Sequence, residues 1–575
     1  MAGQIPVNFV TYATVSLKAA CFGDNVFDAG TTARCISNLV AVGYHRLIVD
    51  LYWSPERRSW SFCPVVVPQD LAAASSPSSP ASSNGTESAK RAITAVTSST
   101  GSKLYQLGPY LCSENLDVSV LIDVLSSYFE GTTAHLNVYL QFVIFNLHAA
   151  ATTTAPNQPA SAVSGSQLPV TSERLGRLLD NNLGEYIYGP DQLASERSDV
   201  QNSWFRVTRG YEPIKEYFTI NEDSTGRQSS PDGWPCSKYV QLGKERRVFF
   251  GYGEIDPQLD EYDLGSDNVL FPPSYLTDFR NVTVAADGGL GDSCLYDPNA
   301  SHVSQANSSW AQSTRIPVPS TAEAGLGNLS ITTTNLTACG ISPLLNDTIF
   351  GETADSNIDP YRNISLSASW AWAAGQPADS ANDNVVDPAQ RCAVINLSTG
   401  GHWQAIGCSS TRRVACRVND LPFTWHLTTA STSYEHASAA CPDDTSFSVP
   451  RTGLENTYLY RYLLSQSQDP HQSAGTVNNS VDPSSADPDM RQVWLDLNSL
   501  DIASCWISGG PDANCPYASD PQQLEKRTVL VATIWGIVIC VVAALTLFVK
   551  CNANRRNSRR GKRVIEGWEY EGVPS

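Results

Sequence analysis

The sequence predicts an α/β domain that closes as a (β/α) barrel, followed by a smaller disulfide-bonded α+β part and one C-terminal transmembrane helix. Three observations carry this division. Continuous apolar strand runs alternate with helical patterns over residues 1–275, the arrangement of a parallel sheet covered on both faces. Cysteines recur among tryptophans between 339 and 515, and residues 528–549 form an uncharged apolar stretch. At 575 residues the chain exceeds one ordinary domain. It divides into 1–275, 276–418, 419–527, 528–549 and 550–575.

Along the first segment, VNFV at 7–10 predicts a short strand. Residues 33–42 have helical spacing closed by Gly43, and RLIVDLYW at 46–53 is a buried strand. Residues 116–129 form an amphipathic helix, and 136–147 are apolar on both faces. A further helix at 172–184 and a strand at 246–256 complete the visible pattern, about half of what a barrel needs. Two Ser/Thr/Ala/Pro-rich stretches, 72–102 and 149–171, read as long solvated loops.

The span TVLVATIWGIVICVVAALTLFV holds 22 residues without a charge. At about 1.5 Å per residue it crosses a hydrocarbon core of about 30 Å. Seven bases and no acid follow between Lys550 and Arg563, so the tail lies in the cytoplasm and the rest outside. Formal net charge is −19, and the tail's +4 leaves −23 before it, which excludes a general nucleic-acid binder. Apolar content of 42%, with 13 Trp and 23 Tyr, excludes global disorder. Cys551, beside the basic cluster, is a candidate for S-palmitoylation.

Two features agree with this type I topology. Thirteen of the 15 cysteines precede the span, which suits an oxidising compartment. Ten asparagines open N-x-Ser/Thr acceptors: Asn84, Asn281, Asn299, Asn307, Asn328, Asn335, Asn346, Asn363, Asn396 and Asn478. The N-terminal residues make a poor signal peptide, lacking a basic n-region and a clean apolar core. The expectation is a true start upstream of this one, with a tail-anchored cytosolic protein as the alternative.

GYHRLIVDLYW, then LGEYIYGPDQL with NSW at 202–204, then DGWPCSKYVQLGKERRVFFGYGEIDP, together resemble the phosphatidylinositol phospholipase C-like barrels. The resemblance implies an acidic residue at a strand's C-terminal end, matched by Asp50, with Glu254 a second candidate acid. That family's chemistry needs two histidines, one as base and one as acid. Its expected positions, in FVTYATVSL and SPERRSWSFCPVVVP, contain none. His45, His135 and His148 read as packed or surface histidines without a partner. The barrel is therefore expected to be degenerate and not an enzyme, and to hold no metal or cofactor.

WAWAAGQP at 370–377 and RCAVINLSTGGHWQAIGCSSTRRVACR at 391–417 resemble the C-terminal half of a C-type lectin domain. The resemblance implies a Cys392–Cys408 bridge and Cys416 reaching back to Cys339. Its calcium carboxylates are missing, since the triplet is Gln376-Pro377-Ala378 and the later pair Gln404-Ala405. Asp379, Asp383 and Asp387 read as a solvated acidic loop. Residues 423–464 resemble the first half of a second, partial copy: a helix ending in Cys441, a strand, then another helix. Residues 493–498 and 505–517 echo its second half, with Cys505 and Cys515 paired.

The whole combination is similar to the fungal maintenance of telomere capping protein 6 family, nearly full length. The family implies an indirect role in telomere capping. The favoured expectation is a non-catalytic membrane glycoprotein whose lumenal modules bind a protein or glycan, with no direct nucleic-acid contact. The alternatives are a membrane-anchored hydrolase of phosphodiester or glycan-linked substrates, and a nuclear-envelope protein acting through its basic tail.

Overall fold

The computed structural model describes residues 2–69, 94–98, 100–132, 138–285, 288–291, 294–318, 322–377, 390–467, 490–515, 537–550, 564–565 and 568–569. Asn84, Asn478, His135, Asp379, Asp383, Asp387, Cys551 and residues 528–536 of the apolar span lie outside them.

Eight strands, three of eight or nine residues and five of two or three, follow one another around an incomplete barrel. They are β1 (Thr14–Ser16), β2 (Arg46–Ser54), β3 (Gln141–Ala149), β4 (Val248–Ile255), β5 (Leu270–Phe271), β6 (Asp278–Arg280), β7 (Ala311–Ser313) and β8 (Leu344–Leu345). β5, β4, β3, β2, β1 and β8 pair in that order, every pair parallel. Just before β8, Ser342 bridges in parallel to Gln312 of β7, and β7 pairs in parallel with β6. Among the described residues nothing pairs β5 with β6, so the ring is open there.

Helices α1 (Ala29–Ala41), α2 (Val118–Gly131) and α3 (Leu175–Leu183) cover the first half. Asp28 caps α1 by accepting from the Thr31 amide at 3.0 Å, which starts the helix four residues before its apolar pattern begins. Gly43, with φ of 95°, takes the left-handed turn into β2. α4 (Ala322–Ala338) and α5 (Asp359–Ser367) cover the second half. The barrel domain therefore runs well past 275: without β6, β7 and β8 the edge of β1 would stand unpaired. The predicted boundary failed because strands of two or three residues leave no readable period.

Side chains alternate across the sheet. Leu47, Val49, Leu51 and Trp53 of β2 pack outward with Val143, Phe145 and Leu147 of β3 and the helices. Ile48, Phe142, Ile144 and Phe249 point inward. Phe142, Phe249, Trp234 and Trp310 fill the lower interior, with ring centroids 4.9–5.6 Å apart between Trp234 and Trp310 and between Phe142 and Trp310. The Arg46 guanidinium lies 5.0 Å from the Trp310 ring. Residues 7–9, expected as a strand, form a 3-10 turn instead. Val7 is fully buried with this interior layer, its amide bonded to Pro235 O and the Asn8 carbonyl bonded to Trp310 N. Residues 149–171 are also less open than their composition implies: Val163 is buried, and Gln167 O accepts from the Trp53 indole at 2.9 Å.

A second large sheet joins β9 (Gln390–Asn396), β10 (His402–Gly407), β11 (Arg413–Val418), β12 (Trp425–Leu427), β13 (Thr445–Phe447) and β14 (Gln492–Asn498). Its order is β10-β9-β14-β11-β12, with β13 also on β11. β14 lies between β9 and β11, antiparallel to the first and parallel to the second. The two expected modules, 276–418 and 419–527, are thus not consecutive copies, because their strands interleave in one sheet. The expected helix before Cys441 is absent as well, its place taken by β12 and two 3-10 turns. Only the later helix, α6 (Gly453–Ser467), is present.

This sheet shares a core with the barrel domain. Ile5, Tyr217, Ala300 and Val303 pack with Ile395, Trp403, Trp425 and Val493. Beside them is a buried ion network. Arg451 Nη2 meets Glu455 Oε1 at 2.7 Å and Glu216 Oε2 at 2.6 Å, while Arg417 reaches Glu216 at 2.9 Å. The Tyr217 hydroxyl donates to Glu455 at 2.5 Å.

A second unit comprises residues 499–507 and those from 512 onward. In it Cys505 pairs with Cys515, and residues 537–550 are helical with exposed apolar side chains. Among the described residues no helix is long and apolar enough to cross a membrane.

Candidate ligand site at the mouth of the barrel

The same alternation that points Arg46 and Ile48 inward carries Asp50 and Tyr52 to the C-terminal end of β2, at the mouth. In register beside them stand Asn146 and His148 of β3. Two inward positions of β4 are glycine for a steric reason. A Cβ at Gly253 would fall 2.3 Å from Asn146 Oδ1, and one at Gly251 would fall 2.9 Å from Leu276. The sheet thus makes room for a polar cluster where (β/α) barrels place their functional groups.

Asn146 organises that cluster. Its Nδ2 donates to Asp50 Oδ1 at 2.8 Å, and its Oδ1 accepts the Glu254 backbone amide at 2.9 Å. Glu254 therefore takes part through its backbone, with its side chain exposed to solvent. His148 sits between two carboxylates, Nδ1 lying 3.0 Å from Asp256 and Nε2 lying 3.9 Å from Asp50. The first is an ion-pair contact; the second is too long for a hydrogen bond, and among the described residues Nε2 is buried without a partner. The ring stacks on Tyr52 with centroids 4.8 Å apart.

Charge states follow from these contacts. Burial works against ionising Asp50, but His148, Asn146 and Lys18 outweigh it and hold its carboxyl below the ordinary value. Burial likewise opposes a charged His148, yet Asp50 and Asp256 raise it above the usual imidazole range. His45 contrasts with it. At the opposite end of β2, against Tyr12 and Tyr139, burial lowers it to about 4. Sequence reasoning passed over His148 because both partners lie in distant segments. The readable signal was the matched ending of two apolar strands, Asp50-x-Tyr52 and Asn146-x-His148.

Next to Asp50 opens a cleft of about 300 Å³, lined by Lys18, Asp50, Tyr52, Tyr110, Asn346 and Asp347 over an apolar floor that includes Phe22 and Phe62. That is the lower end of small-molecule sites. Among the described residues no group of His, Cys, Asp and Glu is arranged to hold a metal ion.

The disulfides agree with the sequence at two places and differ at one. Cys392 pairs with Cys408, and Cys505 with Cys515. Cys416 does not reach Cys339: it bonds Cys441, while Cys339 bonds Cys294 at the end of α4. The nearer cysteine wins because β13 brings the segment after Cys441 alongside Cys416 itself. Cys21–Cys35 and Cys63–Cys112 complete six bridges. Among the acceptor asparagines, Asn281, Asn299, Asn307, Asn346 and Asn363 are exposed, whereas Asn328 and Asn335 are half-buried. Asn396 does not fit an acceptor. It is 8% exposed, with Nδ2 donating to Gln404 at 2.7 Å.

No solved structure matches this chain. "Maintenance of telomere capping protein 6" of Saccharomyces cerevisiae is 25% identical over 428 residues, 69% of this chain and 66% of that protein. The Yarrowia lipolytica protein of that name is 28% identical over 372 residues, 60% and 51% of the two chains. The Lachancea thermotolerans one is 23% identical over 480 residues, 81% and 80%. The chain thus spans just under two thirds of the Saccharomyces relative and about half of the Yarrowia one. The sequence profile of the MTC6 partial TIM-barrel domain matches residues 1–368, taking in all eight strands, α4 and α5, and the chain belongs to that family.

Proposed function

We propose that this chain is a single-pass type I membrane glycoprotein that acts by binding, without catalysis, in the maintenance of telomere capping for which its relatives are named. Its ectodomain is lumenal or extracellular, so the telomere link is indirect and involves no nucleic acid. The observation that carries the non-catalytic reading is the barrel mouth. Among the described residues it holds one histidine, clamped between carboxylates, where two-histidine phosphodiester chemistry needs a separate base and acid. Six disulfides suit an oxidising compartment. The apolar stretch at 528–549 and the bases after it supply the anchor. The partner is a lumenal protein or glycan.

One observation favours the hydrolase alternative. His148, oriented by Asp256 and unpaired at Nε2, has the geometry of a general base. Two experiments separate the readings. Endoglycosidase treatment of the protein from its own cell gives a downward gel shift if the ectodomain is lumenal, and none if it is cytosolic. Incubation with phosphatidylinositol and with chromogenic phosphodiesters gives no turnover if the mouth only binds. Turnover abolished by His148→Gln overturns the non-catalytic reading.

A further inference from the structure

We propose that the cleft beside Asp50 binds a neutral saccharide, a ligand class for the site just described, and this rests on the reading of the mouth as a binding site. Two polar groups face the cleft with unspent hydrogen-bonding capacity. Asp50 Oδ2 has no hydrogen bond among the described residues, its neighbour Lys18 Nζ standing 3.9 Å away. Lys18 is 69% exposed, and among the described residues no other ion pair engages it. That gap is too long for direct bonding and short enough for one bridging oxygen. A hydroxyl fits it, because it donates to the carboxylate and accepts from the ammonium together.

Charge selects among ligand classes. Asp50 and Asp347 oppose the single Lys18 on the cleft wall, so a phosphate or carboxylate would enter a net negative field. A cationic amine would satisfy Asp50 but leave Lys18 facing a like charge. A neutral polyol meets neither repulsion. The remaining wall suits sugar as well. The rings of Tyr52 and Tyr110 offer apolar faces with hydroxyl tips. The volume accommodates a ligand of one sugar ring, not an extended chain.

The test uses the full-length chain in lipid nanodiscs, titrated by calorimetry and by saturation-transfer NMR. The probes are methyl α-mannoside, methyl β-glucoside and N-acetylglucosamine, with inorganic phosphate and putrescine as charged controls. One neutral sugar is expected to saturate with little dependence on salt. Asp50→Asn and Lys18→Met are each expected to raise its Kd by about tenfold or more, a loss of about 1.4 kcal/mol. Lys18 is exposed, so its substitution leaves the fold intact. Saturation by phosphate or putrescine without any sugar overturns the proposal, as does sugar binding that both variants leave unchanged. Hydrolysis of the p-nitrophenyl glycoside of the bound sugar would overturn the non-catalytic reading and leave the saccharide assignment standing.

Discussion

Replacing Arg451 by Met tests whether the barrel domain and the interleaved sheet are held as one body. Arg451 is 3% exposed and Glu455 0%, and the guanidinium also carries Glu216, which Arg417 shares. Removing the arginine side chain leaves Glu455 buried with, among the described residues, the Tyr217 hydroxyl and the residue 451 amide against its charge. Breaking a buried pair from one side costs about 3–5 kcal/mol, because the remaining ion keeps its desolvation penalty. Removing both sides together, as Arg451→Met with Glu455→Leu, deletes that penalty and should recover most of the loss. Urea denaturation with the disulfides intact measures both variants. The network also sets a pH dependence. Burial opposes ionising Glu216, but Arg451 and Arg417 outweigh it and lower its carboxyl value. Its contribution is present above the ordinary glutamate range and lost as pH falls through the depressed folded value. A loss below about 1 kcal/mol for Arg451→Met, in the range of exposed pairs, would refute the argument. So would a double variant no more stable than the single one.

Other consequences are equally measurable. Gly253→Ala should push Asn146 off Asp50, destabilising the domain by about 1–3 kcal/mol in the same denaturation assay and weakening sugar binding. His148, held above the ordinary imidazole range, contributes stability that is present below that range and lost as pH rises through the raised value. His148→Gln should flatten that slope in melts across neutral pH. Glycopeptide mapping should find Asn396 unmodified while exposed acceptors such as Asn281 and Asn363 carry sugar, because the Asn396 amide is spent inside the sheet.

How much could be read in advance depended on element length. Residues 46–53 and 246–256 are strands almost as expected, because long apolar runs on both faces have few other ways to be buried. The helices near 33–42, 116–129 and 172–184 are likewise present, displaced at their ends by capping residues such as Asp28 and Asp117. The strands from Leu270 to Leu345 were invisible, since two or three residues carry no alternation and their identity comes from neighbours far along the chain. The same holds at the site. Asp50 was legible as a strand-end acid, whereas His148 and Asp256 acquire meaning only when β3 and β4 are laid against β2. The lectin-like resemblance implied Cys392–Cys408 correctly and failed at Cys416, where strand order chose the partner.

The position of β14 bears on how the protein is made. A ribosome releases β9 and β11 long before β14, yet β14 is the strand that must lie between them. Until residues 492–498 emerge, β9 and β11 each expose a strand edge, and the shared core lacks Val493 and Leu495. The first strand waits too, since β1 meets β8 only after residue 345 has been synthesised. Neither the barrel nor the interleaved sheet can therefore close until these late segments have been made. A premature stop anywhere between β11 and β14 would leave not a shorter domain but one missing its middle.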